Sequence, residues 1–317
     1  MMPATCRQQL VPVILGPTAV GKTAVAIELA LRYGWEIVSC DSRQVYRYMD
    51  IGTAKPDKDE LRAVRHYLID IIDPCEQYSA WRFASDALGC AKKTAAKAKS
   101  ICICGGTGLY FRCLSEGLGP QIPANPAFRA HCEQKADRYG KQVLHEELSR
   151  VDPLSAKRLH PNDSQRIIRA LQVFYDTGES ISRLDSQKKP MHSLEFVPII
   201  LHMPRAVLYE RINGRAEQMM DMGLWDEFKR LRSMGYAPDS PGMHCVGYRE
   251  LFAVENGEMS LPEAVEKIKR NTRRYAKRQM TWFRHQVSGF FVDVTCPESY
   301  TELIEYCDAL WASKSIT

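Results

Sequence analysis

Residues 16–23 read GPTAVGKT, so Gly16 and Gly21 bracket Pro17, Thr18, Ala19 and Val20 and are followed at once by Lys22 and Thr23. That spacing is the P-loop pattern, and each residue type has a task in holding phosphate. Glycine lets successive backbone N–H groups curl round an anion, a helix start adds its positive dipole end, and lysine adds a point charge. The Thr23 hydroxyl can ligate Mg²⁺. Phosphate binding follows, but not ATP binding in particular. Phosphotransferring P-loop enzymes commonly end a later strand in an Asp that positions the metal. Here SICICGGTGLY ends its strand in Gly105 and Gly106, so the expected acid is missing.

The stretch CDSRQVYRYMDIGTAKP, residues 40–56, puts Asp41 and Ser42 at the end of a second strand. Ends of parallel strands face the crevice in which α/β proteins bind ligands, so both belong beside the phosphate loop. A carboxylate there is poised to accept a proton, and it is equally suited to cap a following helix. Thr107 lies at a third strand end, again on the ligand side. Around it Gly105, Gly106 and Gly108 either clear room or make a tight turn into the helix at Leu109.

Such residues need strands and helices in alternation to bring them together. VPVIL, EIVSC, HYLIDII and SICICGG are short apolar runs separated by helical stretches such as residues 78–99, the pattern of a parallel α/β sheet. After EGLGPQIPANP the pattern changes to long helical segments, 126–149 and 163–176, with no strand before FVPIILHM. A strand at 196–203, several helices, a last strand GFFVDV and a closing helix complete the chain. The reading is an α/β, P-loop NTPase-like parallel-sheet core, residues 1–116 and 195–317, interrupted by a helical insertion domain, residues 117–194.

Composition narrows the setting. The 317 residues are 45% hydrophobic, which suits a globular protein, and the net charge of +5 is only mildly basic. A nucleic-acid partner must therefore be argued from where the charge sits. Eleven cysteines are scattered without a C-x₂-C pair, which speaks against a zinc site and for buried small side chains. The odd count, the lack of a signal peptide and the lack of an 18-residue apolar run point to a reduced cytoplasmic setting with no membrane. Monomer is the default.

The charge is concentrated near the C-terminus. KIKRNTRRYAKRQMTWFR, residues 267–284, holds eight Lys or Arg and no acid. Lys267, Arg270, Arg274, Lys277 and Arg278 recur at helical spacing on one side, while Ile268, Tyr275 and Trp282 recur at sevens and would anchor the other side to the core. Such a stripe is either a solvated face or a phosphate-binding one.

GPTAVGKT, DSRQVYRYMDIGTAKP, GGTGLYF, NDSQRIIRALQVFYDTG and VGYRE occur in this order, and the chain resembles the tRNA dimethylallyltransferases from the P-loop to RQMTWFRH. That resemblance implies an enzyme that moves a dimethylallyl group from dimethylallyl diphosphate to N6 of an adenosine beside the tRNA anticodon. The P-loop, residues 16–23, would bind the diphosphate, and the acid missing after ICICGG is then expected. Asp41 looks like the general base and Thr107 like its neighbour that orients the amine. Ser42, Arg43 and Gln44 look like contacts to the target base, which must leave its stack to be reached.

In QRIIR, Gln165, Arg166, Ile167, Ile168 and Arg169 would meet the tRNA anticodon stem-loop, with Arg166 and Arg169 on one helix face. Those two arginines could clamp diphosphate or RNA phosphate, or simply face solvent. His244, Cys245, Val246, Gly247, Tyr248 and Arg249 form the VGYR segment of the same RNA surface, and His244 stands where many members carry Arg, which weakens a permanent cationic contact. The family gives the basic stripe a tRNA to bind. The missing Cys/His zinc module points to a bacterial-like form. A nucleotide or metabolite kinase would have little use for the stripe, and a non-catalytic RNA-binding protein would have little use for Asp41 and Thr107.

Overall fold

The structure, a computed structural model, describes residues 9–117, 122–187 and 193–311. Its contacts divide the chain into two compact units, Met1–Leu114 with His192–Thr317, and Ser115–Met191. Along the chain come β1 (Gln9–Leu15), α1 (Lys22–Tyr33), β2 (Trp35–Cys40), α2 (Lys58–Ala63), β3 (His66–Tyr67), α3 (Ala80–Ala95), β4 (Ser100–Gly105) and α4 (Gly108–Glu116). The helices α5 (Pro126–Tyr139), α6 (Gln142–Val151), α7 (Pro153–Arg158), α8 (Ser164–Thr177) and α9 (Ile181–Ser186) follow. The first unit resumes with β5 (Leu194–His202), α10 (Arg205–Asp221), α11 (Leu224–Ser233), α12 (Tyr248–Glu255), α13 (Leu261–Gln286), β6 (Phe290–Asp293) and α14 (Pro297–Trp311).

The six strands form one sheet in the order β3-β2-β4-β1-β5-β6, with every pairing parallel, as in P-loop NTPase-like folds. β1 is central, so its run from Val11 to Leu15 is buried on both faces and carries no polar alternation. The ends of β1, β2 and β4 therefore open side by side, which is where the phosphate loop, Asp41 and Thr107 begin. Among the described residues no helix is long and apolar enough to cross a membrane. The described cysteines are free thiols, most of them buried.

Two expected elements differ. HYLIDII is a strand only at His66 and Tyr67, because Leu68 and Asp70 take left-handed φ angles of 63° and 57°. The amides of Asp70 and Ile71 turn instead to the carbonyls of Gln44 and Val45, so the run packs the loop that follows β2 rather than the sheet. The helix expected over 126–149 is split into α5 and α6 at Gly140, whose φ of 85° ends the first.

In the unit Ser115–Met191, α5 to α8 close over Leu144, Leu148, Ile167 and Leu171. Ile167 and Ile168 are thus core side chains, and the reading of them as RNA contacts is corrected. Gln165 and Arg166 stay exposed, and Arg166 pairs with Asp163 at the helix start. Arg169 is half-buried and donates to the carbonyls of Ile122 at 2.8 Å and Pro123 at 3.3 Å, spending these donors inside its own unit.

Candidate active site

The phosphate loop leaves β1 at Gly16, where an added Cβ would stand 2.7 Å from the Leu201 carbonyl oxygen of β5. Only glycine fits that approach. Ala19 holds a left-handed φ of 66°, a strained setting for a residue with a Cβ and one that recurs where loops wrap ligands. Gly21 (φ 99°) begins α1 without any side-chain cap, so the first-turn amides remain for an anion. Lys22 reaches back and donates to the Pro17 carbonyl at 2.8 Å. Burial lowers its pKa, and the nearby Asp41 carboxylate opposes the shift. Thr18, Ala19, Gly21, Lys22 and Thr23 line the cleft beyond, whereas Val20 is buried beneath the loop, so its side chain is not a ligand contact.

That cleft has a volume of about 670 Å³ and lies wholly within the sheet-bearing unit. Its walls carry the cations Lys22, Arg43, Arg211, Arg215, Arg249 and Arg278 against the carboxylates Asp41 and Glu60. Such an excess suits a polyanionic ligand. Arg211 and Arg215 sit one turn apart on α10 and share its cleft wall with Ile212, Ala216 and Met219. Burial lowers the pKa of Arg215, which comes within 3.5 Å of the Thr18 hydroxyl. Sequence reasoning passed over both arginines; the ERINGR spacing of four was the available signal.

Asp41 does not cap a helix, because residues 41–57 form turns and α2 begins only at Lys58 with its own cap, Asp57. Its Oδ1 accepts the Arg43 N–H at 2.8 Å, an Asx turn that aims the carboxylate along the cleft wall. Thr107 accepts the Ser42 N–H at 3.0 Å on its hydroxyl, and its own N–H donates to the Cys40 carbonyl at 3.2 Å. Through these bonds Thr107, which is half-buried, holds the loop that carries Asp41. Gln44 is likewise occupied, accepting from Ser39 at 2.9 Å and donating to the Ala54 carbonyl at 3.1 Å.

The strand-end glycines make room for protein, not for ligand. An added Cβ would lie 2.1 Å from the Cys40 carbonyl oxygen at Gly105, 2.4 Å from Gln279 Nε2 at Gly106 and 2.3 Å from the Trp282 ring at Gly108. Both of the last two partners belong to α13, whose buried side runs through Ala264, Ile268, Ala276, Gln279 and Phe283. Tyr275 is no core anchor. It is 36% exposed and lines the cleft beside Arg278, whose guanidinium stands 5.7 Å from its ring centre. Arg270, Arg274, Lys277 and Arg278 are exposed and Lys267 is half-buried, so α13 presents the stripe outward.

Along the VGYR segment, His244, Cys245, Val246 and Arg249 line the cleft. Burial pushes the Cys245 thiol up to about 12, so it stays protonated at neutral pH. Tyr248 is corrected: it is fully buried, and its hydroxyl donates to Glu227 at 2.5 Å. Glu227, unnoticed in the sequence, also accepts the amides of Asp50 (2.8 Å), Ile51 (2.8 Å) and Gly52 (3.0 Å). One buried carboxylate thus ties the loop following Asp41 to α11 and α12.

Among the described residues no three His, Cys, Asp or Glu side chains gather as a metal site. A single hydroxyl is nevertheless a fit for Mg²⁺, which keeps several waters and takes phosphate oxygens as its other ligands. Thr23, second in α1, lines the cleft and is the residue that would hold such an ion.

The chain matches a family model described as IPP transferase over residues 44–286 and one described as isopentenyl transferase over residues 9–73. It is 44% identical over 300 residues to the tRNA dimethylallyltransferase of Thermomicrobium roseum, covering 94% of this chain and 91% of that one. Identity to that of Bacillus cytotoxicus is 42% over 311 residues, 98% of both chains. Among solved structures, the tRNA isopentenylpyrophosphate transferase of Bacillus halodurans superposes with a TM-score of 0.71 at 38% identity, over 98% of each chain. A eukaryotic dimethylallyltransferase acting on tRNA shares the fold, with a TM-score of 0.75 at 24% identity over 98% of this chain and 78% of that one. Phosphate loop, carboxylate and cationic cleft therefore stand in a chain that belongs to the tRNA dimethylallyltransferase family.

Proposed function

We propose that the protein transfers a dimethylallyl group from dimethylallyl diphosphate to N6 of the adenosine beside the tRNA anticodon, in the cytoplasm, releasing diphosphate. The observation that carries the reading is that the phosphate loop and Asp41 open on one cationic cleft while the strand beside them ends in glycines instead of a metal-binding acid. In the transfer the C1–O bond to diphosphate breaks, the C1–N6 bond forms, and the departing N6 proton goes to the Asp41 carboxylate. Lys22, the uncapped α1 amides, Arg211 and Arg215 take up the charge that collects on the leaving diphosphate. Mg²⁺ held by Thr23 and the diphosphate would neutralise part of that charge. Arg43 and Arg249 on the cleft wall are suited to RNA phosphates, and Gln165 and Arg166 supply exposed polar groups for the anticodon stem-loop on the helical unit.

Mass analysis of an unmodified tRNA after incubation with the protein, Mg²⁺ and dimethylallyl diphosphate tests this directly. The expected product carries one five-carbon unit on a single adenosine; unaltered tRNA would overturn the reading. The donor preference gives a second check. Calorimetry is expected to show dimethylallyl diphosphate bound more tightly than ATP, and ATP tighter by tenfold, about 1.4 kcal/mol, would favour a kinase instead.

The stripe on α13 supports the RNA half of the reading. Replacing Lys267, Arg270, Arg274, Lys277 or Arg278 singly is expected to weaken tRNA binding and to reduce the log–log salt slope by about one for each phosphate that is no longer neutralised. Donor affinity should stay put. An unchanged slope in all of these variants would make the stripe a solvated face.

A further inference from the structure

Gln279 bridges loops that serve opposite halves of the reaction. Its Oε1 accepts the Thr18 N–H of the phosphate loop at 2.9 Å, and its Nε2 donates to the Gly106 carbonyl at 2.8 Å. The backbone partners fix which end of the amide is which, since an N–H can only donate and a carbonyl can only accept. The side chain is 8% exposed, and Gly106 has no side chain because Gln279 occupies that space. One residue beyond Gly106, the Thr107 hydroxyl takes the Ser42 N–H next to Asp41. Beside the Thr18 amide, the Thr18 hydroxyl meets Arg215. A single side-chain amide therefore spans the interval from the group that holds diphosphate to the group that takes the proton.

We propose that Gln279 is a positioning residue that sets the distance between the departing diphosphate and the Asp41 carboxylate. This rests on the prenyl-transfer reading. Gln279 acts through the Thr18 and Gly106 backbones, to which its oxygen and its nitrogen are each bonded. Displacement at an allylic carbon needs nucleophile, carbon and leaving group aligned, and misplacement by about 1 Å can cost ~10²-fold in rate. Binding of each substrate separately tolerates more slack, because each loop keeps its own ligands.

The test compares wild type with Gln279→Met and Gln279→Glu. Methionine has similar length and forms neither bond. The single-turnover rate of Gln279→Met with both substrates saturating should fall ~10²-fold while the dissociation constants for tRNA and dimethylallyl diphosphate stay within about threefold. Gln279→Glu reproduces both bonds only when protonated, its O–H donating to Gly106 and its other oxygen accepting from Thr18. Its rate relative to wild type should therefore rise as the pH falls. The charged and titratable groups that line the same cleft are Lys22 on α1, Asp41 and Arg43 after β2, Glu60 on α2, His66 on β3, Cys104 on β4, Arg211 and Arg215 on α10, His244, Cys245 and Arg249 around the start of α12, and Tyr275 and Arg278 on α13. Taking the ratio to wild type removes their common titration.

A wild-type rate in Gln279→Met, or a loss that matches the loss in substrate affinity or folded fraction, would overturn the positioning role. Should Gln279→Met fail to fold, the Gln279→Glu ratio decides alone, and a ratio flat with pH overturns it. Wild-type protein that transfers no prenyl group would instead sink the reaction itself.

Discussion

Asp41→Asn is expected to lower the single-turnover rate of prenyl transfer by ~10²–10⁴-fold, the usual contribution of a general base, with tRNA and donor affinities changed far less. Adenine N6 is a weak nucleophile because its lone pair is delocalised into the ring, so its proton must leave as the new bond forms. The substitution keeps the local structure. An asparagine oxygen can accept the Arg43 N–H as Asp41 Oδ1 does at 2.8 Å, and the Asx turn survives. With no helix starting between Asp41 and Lys58, loss of a cap offers no competing explanation. Rapid-quench measurement on folded, tRNA-binding variant protein decides the matter, and near-normal transfer would remove Asp41 from the chemistry.

The second large effect is on stability. In Glu227→Gln one oxygen becomes an NH₂ group, which must face either the amides of Asp50 and Ile51 or the pair formed by the Gly52 amide and the Tyr248 hydroxyl. The first orientation leaves two buried donors without an acceptor, whereas in the second the Tyr248 hydroxyl can turn to accept from the NH₂ group and only the Gly52 amide is left. At about 1–3 kcal/mol for each unsatisfied group, and with the less costly orientation prevailing, the expected loss is about 1–3 kcal/mol. Denaturant unfolding should show a lower midpoint with an unchanged slope. Tyr248→Phe, which removes one partner of the four, should cost less than Glu227→Gln. Equal stability of Glu227→Gln and wild type would mean that the loop finds other acceptors.

The phosphate loop could be read from the sequence because its residues are consecutive and its function lies in its own backbone. Asp41 was legible for a similar reason: it follows directly on an apolar strand, and strand ends in a parallel sheet have a known direction. Gln279 was not. It lies on the apolar side of a helix otherwise read for its charges, and nothing near it in sequence hints at Thr18. Glu227 was hidden in the same way, since its partners are backbone amides that carry no sequence signal. Tyr275 and Tyr248 show the converse error: spacing at sevens suggested core for a tyrosine that lines the cleft, and a motif suggested an RNA contact for one that is fully buried. The strand read into HYLIDII failed because apolar content predicts burial, and a buried loop with left-handed residues meets that demand as well as a strand does.

The central position of β1 has a consequence for how the protein is made. β1 pairs with β4 on one edge and, from Gln9 to Leu15, with β5 on the other, but β5 begins only at Leu194. A ribosome reaches that strand after the entire helical segment has been synthesised. For that interval the nascent sheet ends in an apolar strand with a bare row of amides and carbonyls, the geometry that recruits foreign strands. The phosphate loop waits longer still, because its Thr18 amide is 261 residues from its partner. A nascent chain therefore holds its most association-prone edge open during elongation and gains its finished donor site last.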